Sequence, residues 1–258
     1  MHDTPPRPAR DHASRRRMKR RLAALPALLA ATLATAAPVW VGRFDAPADT
    51  VPAPWQQVRL DERIAPTRYR VREWDGVLAI EARAANSMAL LARPLAVDLD
   101  STPVLCWRWR IDAPLRNADM TTKAGDDYAA RVYLSFAVPP AALGLGTRLK
   151  LRLARALRGE LVPDAAINYV WDNRHPVGTW QPNAYTERAR MRVQRSGAAL
   201  AGRWVDERRD VAADFAQAFG HAPARLTGLA VASDTDNTGE TARAGFADFR
   251  FVGRDAPC

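Results

Sequence analysis

Alternation of apolar and polar residues with a period of two runs through most of the chain, and it is typical of half-buried β-strands. In residues 104–111 (VLCWRWRI), Trp107 and Trp109 fall on one face of the predicted strand. Arg108 and Arg110 therefore fall on the opposite face. Long helices do not alternate with these strands, so the pattern predicts a mainly β protein, an antiparallel β-sandwich or jelly roll. Further predicted strands are residues 77–84, 131–138, 167–171, 191–193, 226–232 and 247–251.

Two segments show helical periodicity. Asp210 is a typical N-cap before residues 211–219, and Gly220 is a typical residue to follow the last turn. Residues 147–158 fit either a helix or a strand, because leucines recur at both spacings. The cations of this segment either meet anionic glycans or lipid headgroups or form a solvated face. They are Arg148, Lys150, Arg152, Arg155 and Arg158.

Residues 1–36 have the organisation of a secretory signal peptide. A positive region runs from Arg15 to Arg21, and an apolar stretch of residues 22–36 follows and ends in small residues that fit the cleavage rule. Met18 is an alternative start, because the sequence from there is a complete signal by itself. The pattern predicts a periplasmic or secreted bacterial protein. The alternative is an uncleaved leader, through which the protein would contact a membrane.

Charge is unevenly distributed along the sequence. The chain carries 38 Lys and Arg against 28 Asp and Glu, a net charge of +10. Residues 1–36 hold 8 basic and 2 acidic residues, so residues 37–258 hold 30 and 26 and carry only +4. A nucleic-acid partner is therefore not predicted. Residues 37–258 contain no repeat or linker, and we expect them to form one β-sandwich domain.

The two cysteines are Cys106, in an apolar run, and Cys258, at the C-terminus. An oxidising compartment permits a disulfide between them. The sequence leaves two interpretations open: Cys106 is a free buried thiol, or a bridge pins the C-terminus.

Several kinds of catalytic chemistry are excluded by residue counts. Only His175 and His221 lie beyond the leader, so a three-histidine zinc site and the H-E-x-x-H pattern are absent. No serine lies in a G-x-S-x-G elbow, and no glycine-rich phosphate loop occurs. No cofactor is predicted apart from a structural calcium ion. An enzyme with this sequence would rely on Asp, Glu or Tyr for proton transfer.

Clusters of charged and aromatic residues follow or interrupt the predicted strands. Arginines and carboxylates at strand ends suit bidentate pairing, and an aromatic ring beside polar groups suits stacking on a sugar. Two interpretations are open: an ion-pair network on one face, or a groove for a sugar or an anionic ligand. The candidate ligand-binding residues are Arg108, Arg110, Asp126, Asp127, Arg131, Trp171, Asp172 and Asn173.

A short acidic segment is a candidate calcium site. Asp234, Asp236 and Asn237 supply hard oxygen ligands at close spacing, which calcium prefers. The segment is not an EF-hand, because the twelfth position of the loop is Gly245 instead of Glu. The alternative interpretation is an Asx-rich turn without a metal.

In order along the chain, these clusters resemble a bacterial family of exported proteins known as domain of unknown function 3047. The resemblance runs from Trp55 to Phe251 and rests on several motifs. It implies a jelly-roll sandwich of the carbohydrate-binding kind and no established activity. The motifs are Trp107–Arg110, Lys123–Arg131, Tyr169–Asn173, Arg209–Val211 and Asp234–Gly239.

Three functions are compatible with these features. The first is a non-catalytic exported sandwich that binds a glycan or another cell-envelope ligand. The second is a polysaccharide-active hydrolase or lyase, with Asp127 or Asp172 as the proton-transfer group and Arg108 or Arg131 neutralising charge. The third is a structural subunit of the envelope.

Overall fold

The structure, a computed structural model, describes residues 1–4, 36–158, 162–220 and 224–258. The chain divides into two units, Met1–Ala34 and Thr35–Cys258. Apart from residues 1–4 and 36, the predicted signal peptide and the alternative start at Met18 lie outside the described residues. The second unit holds all the elements discussed below.

The described residues form thirteen strands, two α-helices and two short 3-10 turns. The helices are α1 (Leu145–Arg158) and α2 (Val211–Phe219), and the 3-10 turns are Lys123–Gly125 and Pro140–Ala142. The strands are β1 (Val39–Gly42), β2 (Gln56–Val58), β3 (Arg68–Trp74), β4 (Val77–Ala85), β5 (Leu90–Pro94), β6 (Val104–Ile111), β7 (Tyr128–Ala137), β8 (Ala165–Asp172), β9 (Trp180–Asn183), β10 (Thr186–Ser196), β11 (Val205–Asp210), β12 (Arg225–Asp234) and β13 (Thr241–Val252).

The strands form two sheets, as predicted for a β-sandwich. The six-stranded sheet has the order β11-β6-β13-β4-β3, and β1 also pairs with β13. The seven-stranded sheet has the order β2-β5-β12-β7-β8-β10-β9. Neighbours are antiparallel with one exception, because β8 and β10 run parallel. The segment between them, which contains β9, is long enough to return the chain to the same end of the sheet.

The hydrophobic core lies between the sheets and follows the predicted alternation. Trp107 and Trp109 of β6 are buried and face Tyr169 and Trp171 of β8, with ring centroids 5.4 and 5.6 Å apart. Arg108 and Arg110 of β6 point away from this core, to the outer face of their sheet. The structure therefore confirms the prediction, made from the alternation, that Trp107 and Trp109 of β6 fill the core.

Both segments with helical periodicity are helices. Asp210 caps α2, because its Oδ1 accepts a hydrogen bond from the backbone N–H of Ala213 at 2.9 Å, and Gly220 ends the helix with φ +80°. The ambiguous basic segment is α1. Among the described residues, no helix is long and apolar enough to cross a membrane.

The C-terminus is bound to the six-stranded sheet. A disulfide joins Cys106 of β6 to Cys258, with 5.8 Å between their Cα atoms. Of the two interpretations that the sequence left open, the structure has the bridge. Cys106 lies in a small outer cluster with Val104 and Val252, so the bridge covers this cluster with the chain end.

Candidate functional site

The outer face of the seven-stranded sheet carries an unusual group of polar residues. In β7, Arg131 and Tyr133 alternate with core residues, so they point away from the core. Arg131 lies opposite Ala232 of β12 and Tyr133 opposite Asn168 of β8. Short and polar side chains on neighbouring strands thus surround one buried guanidinium.

Four carboxylates meet at one end of this face. Asp126 and Asp127 directly precede β7, whereas Asp234 ends β12 and Asp236 follows it. Because β7 and β12 are antiparallel, with Tyr128 opposite Asp234, the start of one strand lies beside the end of the other. Carboxylate oxygens of Asp127, Asp234 and Asp236 lie within 4.8 Å of one another. We call Asp126, Asp127, Asp234 and Asp236 the acid cluster.

Asp127 holds the turn after β12 in place. Its Oδ1 accepts hydrogen bonds from the backbone N–H of Asn237 at 3.3 Å and from Asn237 Nδ2 at 3.1 Å. Its Oδ2 accepts the backbone N–H of Thr238 at 2.7 Å. Gly239 completes the turn with φ +70°, a conformation that favours glycine. These bonds hold the residues that directly follow Asp236.

Arg131 is the cation of the cluster. Its Nη2 lies 2.7 Å from Asp234 Oδ2, and both side chains are buried. Its guanidinium also lies over the ring of Tyr128, 5.4 Å from the centroid. The Nε atom of Arg131 is buried and has no hydrogen-bond partner among the described residues.

Asp126 is held by neutral groups. The hydroxyl of Tyr128 donates to Asp126 Oδ1 at 3.2 Å. Nδ2 of Asn183, from β9, approaches both carboxylate oxygens at 3.1 and 2.9 Å. These donors satisfy the Asp126 carboxylate without adding a positive charge.

Negative charge in the acid cluster exceeds positive charge. Burial raises the pKa of Asp126 and the pKa of Asp236, and it raises the pKa of Asp234 well above its ordinary value, although Arg131 opposes each of these changes. Burial lowers the pKa of Arg131, but the charges of Asp234 and Asp126 outweigh it and raise that pKa. One guanidinium does not balance four ionised carboxylates, so the acid cluster favours the uptake of protons or of an additional cation.

The geometry also fits a hard divalent cation. Asp234 Oδ1 and Asp236 Oδ1 are buried and have no hydrogen-bond partner among the described residues. Calcium binds oxygen ligands at ~2.3–2.6 Å, so two ligands on opposite sides of the ion are ~5 Å apart. The 4.8 Å limit on the carboxylate oxygens is compatible with that spacing. Oxygen donors alone disfavour zinc, which prefers nitrogen and sulfur.

Two of the predicted ligand-binding residues lie on the other sheet. Arg108 pairs with Asp206 and Asp248, at 3.2 and 3.3 Å, on the outer face of the six-stranded sheet. Arg110 forms an ion pair with Asp75 and lies 4.1 Å from the ring centroid of Trp74. These arginines are separated from the acid cluster by the core, so they do not share a groove with it.

Three others hold loops in place. Trp171 is buried in the core, and its Nε1 donates to the carbonyl of Gly197 at 3.0 Å. Asp172 Oδ1 accepts the backbone N–H of Arg174 at 2.7 Å and of His175 at 2.6 Å. Asn173 Nδ2 donates to the carbonyl of Ala118 at 2.9 Å. Their side chains stabilise the loops after β8 and β10 and the segment that leads to β7.

The expectation of one groove is therefore not met. Of the eight candidate ligand residues, the structure brings together Asp126, Asp127 and Arg131, and it adds Asp234 and Asp236 from the candidate metal site. Asn237, the third candidate metal ligand, donates a hydrogen bond from its Nδ2 to Asp127. An amide nitrogen is a donor and does not bind a cation, so Asn237 does not present a ligand atom on this side.

Four residues of the site are absent from the sequence-based set: Tyr128, Tyr133, Asn168 and Asn183. Asn168 carries a detectable signal, because it alternates with the core residues Ile167 and Tyr169. Asn183 carries none, because β9 is a four-residue edge strand without an apolar pattern.

Fold and site together define an antiparallel β-sandwich with a buried acid cluster at one end of its larger sheet. The chain belongs to the family described as "Protein of unknown function (DUF3047)", whose sequence profile matches residues 53–250. The resemblance seen in the sequence is thereby confirmed.

Two other comparisons were made. Among curated proteins, none matches the chain. Among solved structures, the chain is similar to the endoglucanase 3 of Trichoderma harzianum from family GH12, with 8% sequence identity and a TM-score of 0.38. That similarity covers 79% of this chain and 99% of the endoglucanase.

Proposed function

We propose that this protein is an exported binding module that holds a calcium ion in the acid cluster and binds a cell-envelope glycan beside it. The observation that carries the proposal is a pair of buried carboxylate oxygens, Asp234 Oδ1 and Asp236 Oδ1, that have no hydrogen-bond partner in the described part of the chain. Leaving such atoms unpaired is costly, because each has lost its hydration. A bound cation removes that cost.

The ligand set of the proposed ion is Asp127, Asp234 and Asp236. Asp127 takes the place that the sequence suggested for Asn237, because its carboxylate lies with the other two. Three carboxylates leave positions open on an ion that accepts ~6–8 oxygens. Water or the hydroxyl groups of a sugar would fill these positions, so the ion links the protein to the ligand.

The surface beside the acid cluster has the character of a sugar site. Tyr185 is 49% exposed, and its hydroxyl lies 3.4 Å from Asn237 Oδ1. Lys123 Nζ lies 5.3 Å from the centroid of the same ring. An exposed aromatic ring beside polar groups is a common platform for a sugar ring. Tyr185 therefore takes the stacking role that Trp171, buried in the core, does not fill.

The proposed location is an oxidising compartment outside the cytoplasm. The disulfide between Cys106 and Cys258 supports it, because such bridges persist in exported proteins and are rare in the cytosol. The signal-like leader of residues 1–36 supports it independently.

Calorimetric titration with calcium chloride tests the ion. We expect one site in the metal-free protein and a loss of affinity of at least about tenfold in Asp236→Asn, because affinity follows the number of charged ligands. Asp206→Asn is the matched control, since Asp206 is exposed and pairs with Arg108 on the other sheet. Absence of binding, or equal binding by Asp236→Asn, contradicts the calcium site.

A glycan array probed with and without calcium tests the ligand. We expect binding in calcium, loss of binding in EDTA, and weaker binding by Tyr185→Ala. Glycan binding that EDTA does not change would support the glycan ligand and contradict the bridging ion. Calcium binding without binding to any glycan would support the calcium site and contradict the glycan ligand.

A hydrolase or lyase is the second candidate, and Asp126 is the observation that favours it. Burial raises the pKa of Asp126 and thereby favours the protonated form that a general acid needs. Asp127 and Asp172, the proton-transfer groups suggested by the sequence, bind backbone N–H groups of the turns that they hold in place. Release of reducing ends from polysaccharides, abolished by Asp126→Asn in a folded protein, would establish the enzyme.

A further inference from the structure

Helix α1 carries its apolar stripe on the side that faces away from the protein. Leu145, Leu149 and Leu153 follow one another at the four-residue spacing of one helix face. Their side chains are 77%, 68% and 61% exposed, respectively. The opposite side of the helix packs on the protein through Leu151, which is buried. An amphipathic helix on a globular protein normally shows the reverse arrangement.

Basic residues border the leucine stripe on both sides. At 100° per residue, Lys150 lies on one side of the stripe and Arg152 on the other, and both are exposed. Helix α1 contains five basic residues and no acidic residue. The exposed side therefore combines an apolar centre with positive flanks.

The helix is held to the protein by its inner side. Arg155 Nη2 lies 2.9 Å from Asp164 Oδ1, and its Nε donates to the carbonyl of Val162 at 3.1 Å. Leu151 and Arg155 thus fix the rotation of α1 about its axis. The leucine stripe cannot turn inward without breaking these contacts.

Stripe and flanks match the surface of an anionic bilayer. A helix that lies in the membrane interface places apolar residues at the headgroup boundary and Lys or Arg beside the phosphates. A length of fourteen residues is sufficient for this position and too short to cross the hydrocarbon core, which takes ~20 residues. The absence of acidic residues from α1 removes the repulsion that an anionic surface would otherwise meet.

We propose that α1 is a peripheral membrane-docking element that binds anionic phospholipid surfaces. Leu145, Leu149 and Leu153 enter the interface, while Lys150 and Arg152 contact lipid phosphates. The proposal is independent of the calcium site and needs no part of it.

The topology gives this docking a definite orientation. Helix α1 connects the end of β7 to the start of β8, whereas the acid cluster lies before the start of β7. A ten-residue strand is ~33 Å long, so the two features lie at opposite ends of the larger sheet. A protein docked through α1 would therefore present the acid cluster away from the bilayer.

Cosedimentation with vesicles tests the proposal. Residues 37–258 contain the whole described core, so they are used without the leader, whose own affinity for lipid would confuse the result. We expect binding to vesicles of phosphatidylethanolamine and phosphatidylglycerol, little binding to phosphatidylcholine, and release at high salt. Leu149→Gln combined with Leu153→Gln should weaken binding at least about tenfold, because exposed leucines supply the apolar contact.

Leu60→Gln is the matched control, because Leu60 is 63% exposed and lies outside α1. All these positions are on the surface, so unchanged melting temperatures would show that the variants fold. No binding to anionic vesicles, or equal binding by the double variant, overturns the proposal. If the protein instead dimerises through these leucines, sedimentation velocity will show a dimer that the double variant loses, and the proposal fails.

Discussion

Glu81 lies at the centre of an arginine cluster on the outer face of the six-stranded sheet. The Nε atoms of Arg70 and Arg243 lie 2.5 and 2.7 Å from its carboxylate. Arg83 and Arg72 lie at 3.2 and 3.3 Å. The Glu81 side chain is buried, while the arginines reach solvent with their outer parts. The carboxylate thus reduces the repulsion among the four arginines on this face.

Replacement of Glu81 by Gln should destabilise the protein in a pH-dependent way. Burial raises the pKa of Glu81, but hydrogen bonds from Arg83, Arg70 and Arg243 outweigh it and lower the pKa from 4.5 to about 2. A lowered pKa stabilises the fold above the unfolded value and loses this effect as pH falls toward 2. We expect Glu81→Gln to cost about 2 kcal/mol at pH 7, less than the ~3–5 kcal/mol of a fully buried pair.

Urea unfolding at several pH values measures this effect. The difference between wild type and Glu81→Gln should be constant above pH 5 and shrink below pH 4.5. A difference that stays the same down to pH 2.5 would contradict the assigned pKa.

At the residue scale, the sequence predicted which residues contribute to the site more accurately than it predicted their positions in the fold. Alternation correctly placed Arg108 and Arg110 outside the core, because successive side chains of a strand point to opposite faces. The alternation does not reveal which of the two sheets a strand joins. Arg108 and Arg131 therefore lie on opposite outer faces, although both are outward-facing arginines beside acids.

Strand β13 depends on a glycine that a tryptophan covers. Gly245 pairs with Glu81 of β4 and with Arg110 of β6. A Cβ atom at Gly245 would lie 2.6 Å from Cη2 of Trp204. Trp204 in turn donates from Nε1 to the carbonyl of Trp74 at 2.9 Å. The glycine thus leaves room for the indole of Trp204 beside β13.

Gly245→Ala should therefore destabilise the fold by about 1–3 kcal/mol, because the indole or the strand must shift. Gly146→Ala is the control, since nothing lies within 4 Å of a Cβ there and alanine favours a helix. Thermal unfolding should show a lower midpoint for the first variant and no decrease for the second. Equal midpoints would show that Trp204 moves without cost.

At the element scale, every predicted strand is an inner strand, whereas the missed strands are the edge strands β2, β3, β9 and β11, the short β1 and the inner strand β5. The pattern predicted the bounds of β6 without error, because β6 lies between two other strands and its apolar residues alternate clearly. Strand β11 was missed, because the sequence VDERRD at the sheet edge has almost no apolar residue. The short strands β2 and β9, at the edges of the other sheet, were missed for the same reason.

The disulfide affects the molecule as a whole, because it connects positions 152 residues apart. A bridge that closes a long loop stabilises mainly by restricting the unfolded chain, typically by about 2–5 kcal/mol. Cys258→Ser removes the bridge at an exposed position and leaves the buried Cys106 in place. We expect a lower urea midpoint for this variant, and the same midpoint for reduced wild type. Unchanged midpoints would show that the bridge contributes nothing to stability.

The whole molecule also separates its two proposed surfaces. The acid cluster and α1 lie at opposite ends of the seven-stranded sheet, with the core between the sheets supporting both. Only part of this organisation was predictable. The sequence identified the members of the acid cluster, as candidates for two separate sites, and the basic segment. Their positions follow from pairings between distant strands, which a single sequence does not specify.

The most direct test of the account is a crystal structure of the protein grown with calcium. We expect one ion bound by Asp127, Asp234 and Asp236 at ~2.3–2.6 Å, with remaining ligands from water or sugar. An anomalous signal from a lanthanide at the same position would identify the metal site independently. Water molecules or a second protein side chain on Asp234 Oδ1 and Asp236 Oδ1, at saturating calcium, would contradict the central claim.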